Sequence, residues 1–174
     1  MEDLRYPVGR LQRPDALSAA ERRTAIDAIA ATPANMRAAV QGLDDAQLDT
    51  PYRPDGWTVR QVVHHVPDSH MNAYVRFKWT LTEDTPTIKA YDEKAWAMLE
   101  DSRVTPIETS LTMLDMLHDR WVRLLRSLSS NDYSRKLVHP ENGPMTLDGL
   151  LATYHWHGRH HVAHIVNLRT RNGW

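Results

Sequence analysis

The sequence predicts an all-α domain, a four-helix bundle with short extra helices and an irregular N-terminal arm. Its apolar residues are mainly Leu, Val, Ala and Met, with 6 Trp but only 1 Phe and 7 Gly, a composition that favours helices over sheets. Four long segments repeat their apolar residues at helical spacing, and connections of moderate length join them, as in a bundle. The 174 residues, 41% of them hydrophobic, can bury a core without staples, so residues 1–174 are predicted to form a single domain.

The long helices are expected to begin where start signals converge. Before the first three, a serine or threonine is followed three residues later by a glutamate or glutamine, which is a capping box. These pairs are Ser18 with Glu21, Thr58 with Gln61 and Thr105 with Glu108. Thr146 is the expected cap of the fourth helix. The long helices are therefore predicted from Ser18 to Leu43, Thr58 to Asp84, Thr105 to Leu128 and Thr146 to Arg171.

Prolines and short apolar runs define the remaining segments. Residues 1–17 are predicted to form an irregular arm because two prolines interrupt them. Pro33 is expected to break or kink the first helix. A short turn is expected at residues 45–48 and a short helix at residues 93–99. Residues 129–145 lack a helical period and are predicted to be a loop with room for a short turn or hairpin.

Composition excludes several classes of function. The net charge is -1, from 21 basic and 22 acidic residues that are interspersed, so we expect no nucleic-acid surface. The absence of cysteine excludes disulfides, cysteine-type zinc sites and a thiol nucleophile, which leaves nitrogen and oxygen as metal ligands. No signal peptide and no membrane-spanning run is apparent, so we expect a cytoplasmic protein that does not associate with membranes.

Histidines are concentrated on the predicted last helix. Residues 154–167 hold five of the 10 histidines of the chain. Helical projection places His157, His161 and His164 on the same side as the apolar stripe, whereas His155 and His160 are predicted to be flanking or exposed. Two histidines four residues apart can reach one metal ion from adjacent turns, which makes His157 and His161 candidate ligands. A third ligand must come from elsewhere in the chain.

The helix after Trp57 offers three candidates for the third ligand. His70 lies on its apolar stripe, His65 on the flank of that stripe, and His64 points away, so periodicity alone favours His70. Pro67 lies between them and removes a helical hydrogen bond, so projection across it does not decide the choice. A single histidine on an apolar face is usually a hydrogen-bonded core residue, and we interpret His70 and His118 in this way.

Two stretches and the terminal GW carry a family resemblance. The stretches are GWTVRQVVHHVPDSHMNAYVRFKWTLTED and YHWHGRHHVAHI, and they resemble the DinB/YfiT-like superfamily, specifically its YfiT branch of metal-dependent hydrolases. The resemblance covers nearly the whole chain and implies a four-helix bundle with a three-histidine metal site. Carried over residue by residue, the implied ligands are His65, His157 and His161. Pro67 departs from the family pattern, in which a small residue such as alanine is expected.

The resemblance also implies a cofactor and a class of chemistry. It implies one divalent metal ion per subunit, with Zn²⁺ or Ni²⁺ favoured, and a small-molecule substrate. An open three-histidine site acidifies a bound water molecule and polarises a carbonyl, which is hydrolase chemistry. The same site can hold a thiol as thiolate, as in related S-transferases that use low-molecular-weight thiols such as bacillithiol. A non-catalytic metal-binding bundle is the third alternative.

Further residues are candidates for the site and for assembly. His164 and Asp68 are hypotheses for a general base, and Asn72 and Arg76 are candidates for a substrate-binding pocket wall because they project on the flank that carries His65. Similar proteins are homodimers, so a homodimer is expected. The arm is the candidate contact, through its apolar residues Tyr6, Val8 and Leu11.

Overall fold

The computed structural model describes residues 4–174, so the first three residues of the predicted arm lie outside it. Its four long helices are α1 (Ala19–Val40), α3 (Val59–Thr82), α6 (Ile107–Ser127) and α8 (Leu147–Asn172). Its short elements are α2 (Asp45–Leu48), α4 (Glu93–Ala97), α5 (Asp101–Val104), α7 (Ser130–Tyr133), β1 (Lys136–His139) and β2 (Gly143–Thr146). The predicted all-α class is confirmed, with a two-stranded hairpin as its only sheet in the described range.

Local start signals place three of the four long helices. Ser18 and Thr58 form the predicted capping boxes of α1 and α3, and Thr146 accepts from the amide of Gly149 at the start of α8. The capping box predicted for α6 is wrong, because the cap position is Pro106 and no side chain caps this helix. With the cap one residue later than predicted, Glu108 is free to pair with Arg37 of α1 at 2.8 Å.

The first helix runs without interruption through Pro33, which corrects the expectation of a break. A proline inside a helix cannot donate to the carbonyl four residues earlier, here that of Ile29. That carbonyl has a different donor, because Nδ1 of His118 lies 2.8 Å from the Ile29 oxygen. A side chain from α6 thus replaces the missing backbone hydrogen bond.

The four long helices form a closed ring. Helix α1 packs against α6 and α8, and α3 packs against the same two helices. The consecutive helices α1 and α3 therefore lie on opposite sides of the bundle. Helix α8 approaches α1 closely at Gly158, where an added Cβ would lie 2.6 Å from Oγ1 of Thr32. Glycine at this position lets the two backbones come together.

A layer of histidines separates two apolar clusters within the bundle. One cluster is built around buried residues such as Ile29, Phe77 and Trp121. The other includes Met36, Val62, Leu114 and Ile165, nearer the opposite end of the helices. The residues between these clusters along the helices include His70, His118, His157 and His161, and His65 of α3 contacts His157 beside them. Bundle interiors commonly hold metal and cofactor sites at such positions.

The described part of the arm lies along α8 of its own chain. Nε1 of Trp156 donates to the carbonyl of Gly9 at 2.8 Å, and the amide of Leu17 donates to Asp148 at 3.0 Å. Asp148 is almost fully buried and also accepts from Nε and Nη2 of Arg22, each at 2.7 Å. This bidentate pair ties the start of α1 to the start of α8.

The hairpin supplies one side of the cavity described below. Strands β1 and β2 are antiparallel, with Lys136 opposite Thr146, and Gly143 has a φ of 75° after the turn, which favours glycine. The turn carries Glu141 and Asn142, which reach the cavity with His139. In the described range, every helix is too short or too polar to cross a bilayer.

Candidate metal centre

Three histidines from two helices meet in the interior layer. His65 comes from α3, and His157 and His161 come from consecutive turns of α8. Each offers one ligand atom, and these atoms all lie within 4.8 Å of one another. The Nε2 atoms of His65 and His157 are 3.2 Å apart, and the rings of His157 and His161 are 4.5 Å apart. The structure therefore brings together the three residues that the family resemblance implied.

The preference of helical periodicity for His70 is not supported by this geometry. His70 lies fully buried behind the cluster, with its Nε2 atom 3.0 Å from Nδ1 of His157. Helix α3 continues through Pro67, so His65 and His70 project in different directions from one helix. A side chain in the middle of the apolar stripe of α3, such as His70, points into the core rather than to the cavity. Both residues contact His157 of α8, but only His65, on the flank of the stripe, lines the cavity.

The histidines of the cluster are held neutral. Burial, with a smaller contribution from the nearby His160, lowers the pKa of His65 to about 4. Burial and neighbouring imidazoles also hold the pKa values of His157 and His161 well below the usual range. Neutral imidazole is the form that binds metal ions. The cluster is therefore ready to bind a cation near neutral pH without first releasing protons.

The donor set fits a divalent ion. Nδ1 of His161 is buried and has no hydrogen-bond partner within residues 4–174. Two nitrogens 3.2 Å apart, on His65 and His157, need a proton or a cation between them. Residues 4–174 supply three histidine nitrogens and no fourth ligand to this group, which is the kind of open site in which catalytic zinc is held.

A line of hydrogen-bonded histidines continues away from the cluster. Nδ1 of His70 lies 2.8 Å from Nε2 of His118, and His118 in turn contacts the carbonyl of Ile29. His70 and His118 are buried, which confirms their interpretation as hydrogen-bonded core residues. Burial lowers the pKa of His118 to about 4, so this imidazole is also neutral near pH 7.

A cavity of about 700 Å³ opens above the cluster. The three cluster histidines lie in its wall together with Ser69 and Tyr154. Oγ of Ser69 lies 3.4 Å from Nε2 of His157 and the same distance from the Tyr154 hydroxyl. Burial raises the pKa of Tyr154, with Arg76 offsetting part of that shift, so the phenol stays protonated. The Tyr154 hydroxyl donates to the Ser69 carbonyl at 3.1 Å, which leaves the Ser69 hydroxyl as the donor beside the cluster.

Of the four further candidates, only Arg76 lines this cavity. Asn72 instead donates to the backbone carbonyl of Asp68 at 2.9 Å. Burial and the nearby Asp101 raise the pKa of Asp68 to about 6, but its side chain is not part of the cavity wall. His164 is also outside the wall, with its ring stacked on Tyr52 at 3.9 Å.

His160 is the residue that helical projection misjudged. It was expected to be flanking or exposed, yet only 8% of it is exposed and it lines the cavity. Its ring stacks on Trp156 at 4.1 Å, and its Nε2 lies 2.9 Å from Nε2 of His164. Trp156 in turn donates to the carbonyl of Gly9 in the arm. The arm is irregular, so helical periodicity could not predict that this face of α8 is buried.

These features define a class of protein, a helical bundle with a histidine cluster beneath a cavity. Residues 28–165 match the DinB superfamily, and the chain belongs to that superfamily. A Bacillus cereus protein named "Putative metal-dependent hydrolase" is 52% identical over 174 residues and spans all of both chains. A Bacillus mycoides protein with the same description is 51% identical over the same length.

A solved structure has the same fold. It is YfiT from Bacillus subtilis, described as "a probable metal-dependent hydrolase with an unusual four-helix bundle topology". It superposes with a TM-score of 0.96 at 46% identity, over 99% of each chain. The predicted four-helix bundle and the predicted family are therefore confirmed, and the buried histidine cluster fits the metal dependence in the relatives' names.

Proposed function

We propose that this protein is a metal-dependent hydrolase that acts on a small-molecule substrate in the cavity above the histidine cluster. His65, His157 and His161 hold one divalent ion per subunit, and Zn²⁺ and Ni²⁺ suit an open nitrogen site of this kind. The observation that carries the proposal is the convergence of three neutral imidazoles, with ligand atoms within 4.8 Å of one another, beside a cavity. When bound, such an ion acidifies a water molecule and polarises a carbonyl.

Residues of the chain position the substrate. Ser69 presents its hydroxyl next to His157, and this group can donate a hydrogen bond to an oxygen of the substrate. The Tyr154 hydroxyl donates to the Ser69 carbonyl at 3.1 Å, so toward the substrate it can only accept. His164 and Asp68 do not line the cavity, and we therefore assign neither as a general base. Asn72 is likewise left outside the substrate-binding set.

The surroundings of Arg76 indicate the charge of the substrate. Its side chain is 7% exposed and lines the cavity. One guanidinium nitrogen donates to the Lys89 carbonyl at 2.9 Å, while Nε has no partner among residues 4–174. No carboxylate of that range forms an ion pair with it. A buried guanidinium that lacks an anionic partner is costly, so an anionic group of the substrate is the fitting counterpart.

Metal content of the native protein tests the centre first. We expect about one equivalent of metal by mass spectrometry in the wild type, since one three-histidine site is proposed per chain. The variants H65A and H161A should lose the metal while their circular dichroism stays helical. The variant H64A is a matched control, because His64 bonds to Ser110 and the Thr105 carbonyl instead of the cluster. Absence of metal in the wild type after reconstitution would refute the proposal.

Assays of the loaded protein separate the alternative functions. Ester and amide hydrolysis without added thiol is the expected result. Turnover of electrophiles only in the presence of a low-molecular-weight thiol would instead identify an S-transferase that uses the same ligands. A third result, in which metal removal unfolds the protein and no substrate turns over, would indicate a structural metal site.

The role of Arg76 is tested with paired esters that differ only by a carboxylate. Loss of a charged hydrogen-bonded pair in R76M should raise KM for the acidic ester by about 10- to 100-fold and leave the neutral ester little changed. The control is K94M, since Lys94 lines the same cavity but is exposed. Equal effects of R76M on both esters would remove the proposed anion contact.

A further inference from the structure

The buried line from His157 to Ile29 has a fixed direction. It consists of three hydrogen bonds, of 3.0 Å from His157 to His70, 2.8 Å from His70 to His118, and 2.8 Å from His118 to the Ile29 carbonyl. At its far end stands a backbone carbonyl, which can only accept. Nδ1 of His118 must therefore carry a proton.

This one proton determines the others. A neutral imidazole has one N–H, so Nε2 of His118 is an acceptor once its Nδ1 is the donor. Nδ1 of His70 then donates to it, and Nε2 of His70 becomes an acceptor. Nδ1 of His157 donates to that nitrogen in turn. The consequence is that Nε2 of His157, which lies 3.2 Å from Nε2 of His65, presents a bare lone pair to the cluster.

Pro33 keeps the end of the line available. In a regular helix the Ile29 carbonyl would accept from the amide of residue 33. Proline has no amide hydrogen, and Ile29 is fully buried, so water does not reach its carbonyl. His118 is the donor that replaces this amide. Pro33 of α1 thus leaves a carbonyl free for His118 of α6, at the far end of the line that leads to His157.

We propose that His70 and His118 are positioning residues that fix the tautomer of His157 and so present its Nε2 lone pair to the metal ion. This proposal rests on the proposed function in one point, that the cluster is a metal site. The tautomer itself is a property of the metal-free protein. Groups that orient ligand imidazoles in this way contribute strongly to metal affinity.

The direct test is nitrogen NMR of the histidine rings in metal-free protein. With ¹⁵N-labelled histidine, we expect a protonated Nδ1 and a bare Nε2 for His157, His70 and His118 in the wild type at pH 7. The signals of each ring are assigned by their disappearance from the spectrum of the variant that lacks that histidine. A protonated Nε2 with a bare Nδ1 on His157 would overturn the proposal, and this result does not depend on whether the protein binds metal.

A matched pair of variants at position 118 tests the consequence for binding. In H118Q the amide keeps one donor and one acceptor, whereas H118M has a similar length and neither. We expect Zn²⁺ affinity of H118M to fall by about 10- to 100-fold, the usual effect of losing a group that orients a ligand, and H118Q to stay near the wild type. Competition with a chelating dye measures this affinity.

Two controls separate loss of the hydrogen-bonded line from general damage to the fold. H64M removes the hydrogen bonds of another buried histidine of α3 outside the line, and its affinity should not change. If H118M fails to fold, the ring spectra of wild type and H118Q still decide the question. Equal Zn²⁺ affinity of folded H118M and H118Q would refute the proposal. A wild type that binds no metal but shows the expected tautomers would refute the proposed function alone.

Discussion

Two groups of histidines in one layer of this bundle differ in their surroundings and in their hydrogen-bond partners. His65, His157 and His161 face a cavity, whereas His70 and His118 lie behind them in the core. Burial lowers the pKa values in both groups. In the core pair every ring nitrogen has a partner at 2.8 to 3.0 Å. In the cavity group, by contrast, Nδ1 of His161 has no partner in the described chain.

This difference shows that burial alone does not identify a metal site. A buried imidazole with two partners stabilises the fold, because its polar atoms are satisfied. A buried imidazole with an unpaired nitrogen lowers stability, and a cation can recover that cost. The core pair should therefore matter most for the free energy of unfolding, and the cavity group for binding.

The largest expected effect is on stability and separates the two groups. H118A leaves the Ile29 carbonyl and a His70 nitrogen unpaired and opens a cavity, so we expect about 3 kcal/mol of lost unfolding free energy. H161A removes a ring that has an unpaired nitrogen and lines the cavity, so it should cost much less unfolding free energy. Urea unfolding of the metal-free proteins measures both. Equal losses in the two variants would erase the distinction drawn here.

The next effect is the stabilisation that the ion itself provides. Binding to the folded state alone should add about 2.7 kcal/mol when free Zn²⁺ is 100 times its Kd. H161A should show no such gain, and H64A should show all of it. Thermal unfolding with and without the ion is the measurement. A gain that persists in H161A would place the ion elsewhere.

The pH dependence of stability, compared between the wild type and H118Q, tests the contribution of His118. The pKa of His118 is lowered from 6.5 to about 4 on folding, so its contribution is complete above pH 6.5 and is lost as the pH falls toward 4. One such group adds a slope of about 1.4 kcal/mol per pH unit in this window. H118Q has no titrating group there and should show a shallower decline of unfolding free energy in urea titrations. An unchanged slope would mean that His118 is protonated in the folded state.

The smallest expected effect comes from P33A. Alanine restores an amide that competes with His118 for the Ile29 carbonyl, but a carbonyl has two lone pairs and can accept from both. We therefore expect a loss of Zn²⁺ affinity well below that of H118M, with helix content retained. Ring ¹⁵N shifts of His118 would register the weaker bond. Shifts identical to the wild type would show that the proline is not required to keep this carbonyl available.

Local chemistry in the sequence determined where most helices begin and end. Thr58 with Gln61 starts α3, and α8 ends at Gly173, which adopts a left-handed conformation with φ of 70°. The spacing of His157 and His161 on one helix was equally local, since residues four apart lie on adjacent turns. Such features need only neighbouring residues, and the sequence contains them in full.

Tertiary structure alone decided which histidine of α3 meets this pair. Projection gives a direction around one helix axis, but it does not give the distance to another helix, so it favoured His70 over His65. The packing of α3 beside α8, and of α1 opposite α3, turned one of these residues to the cavity and the other to the core. For the same reason, the partner that His118 supplies to the carbonyl freed by Pro33 became visible only once α1 and α6 were packed together.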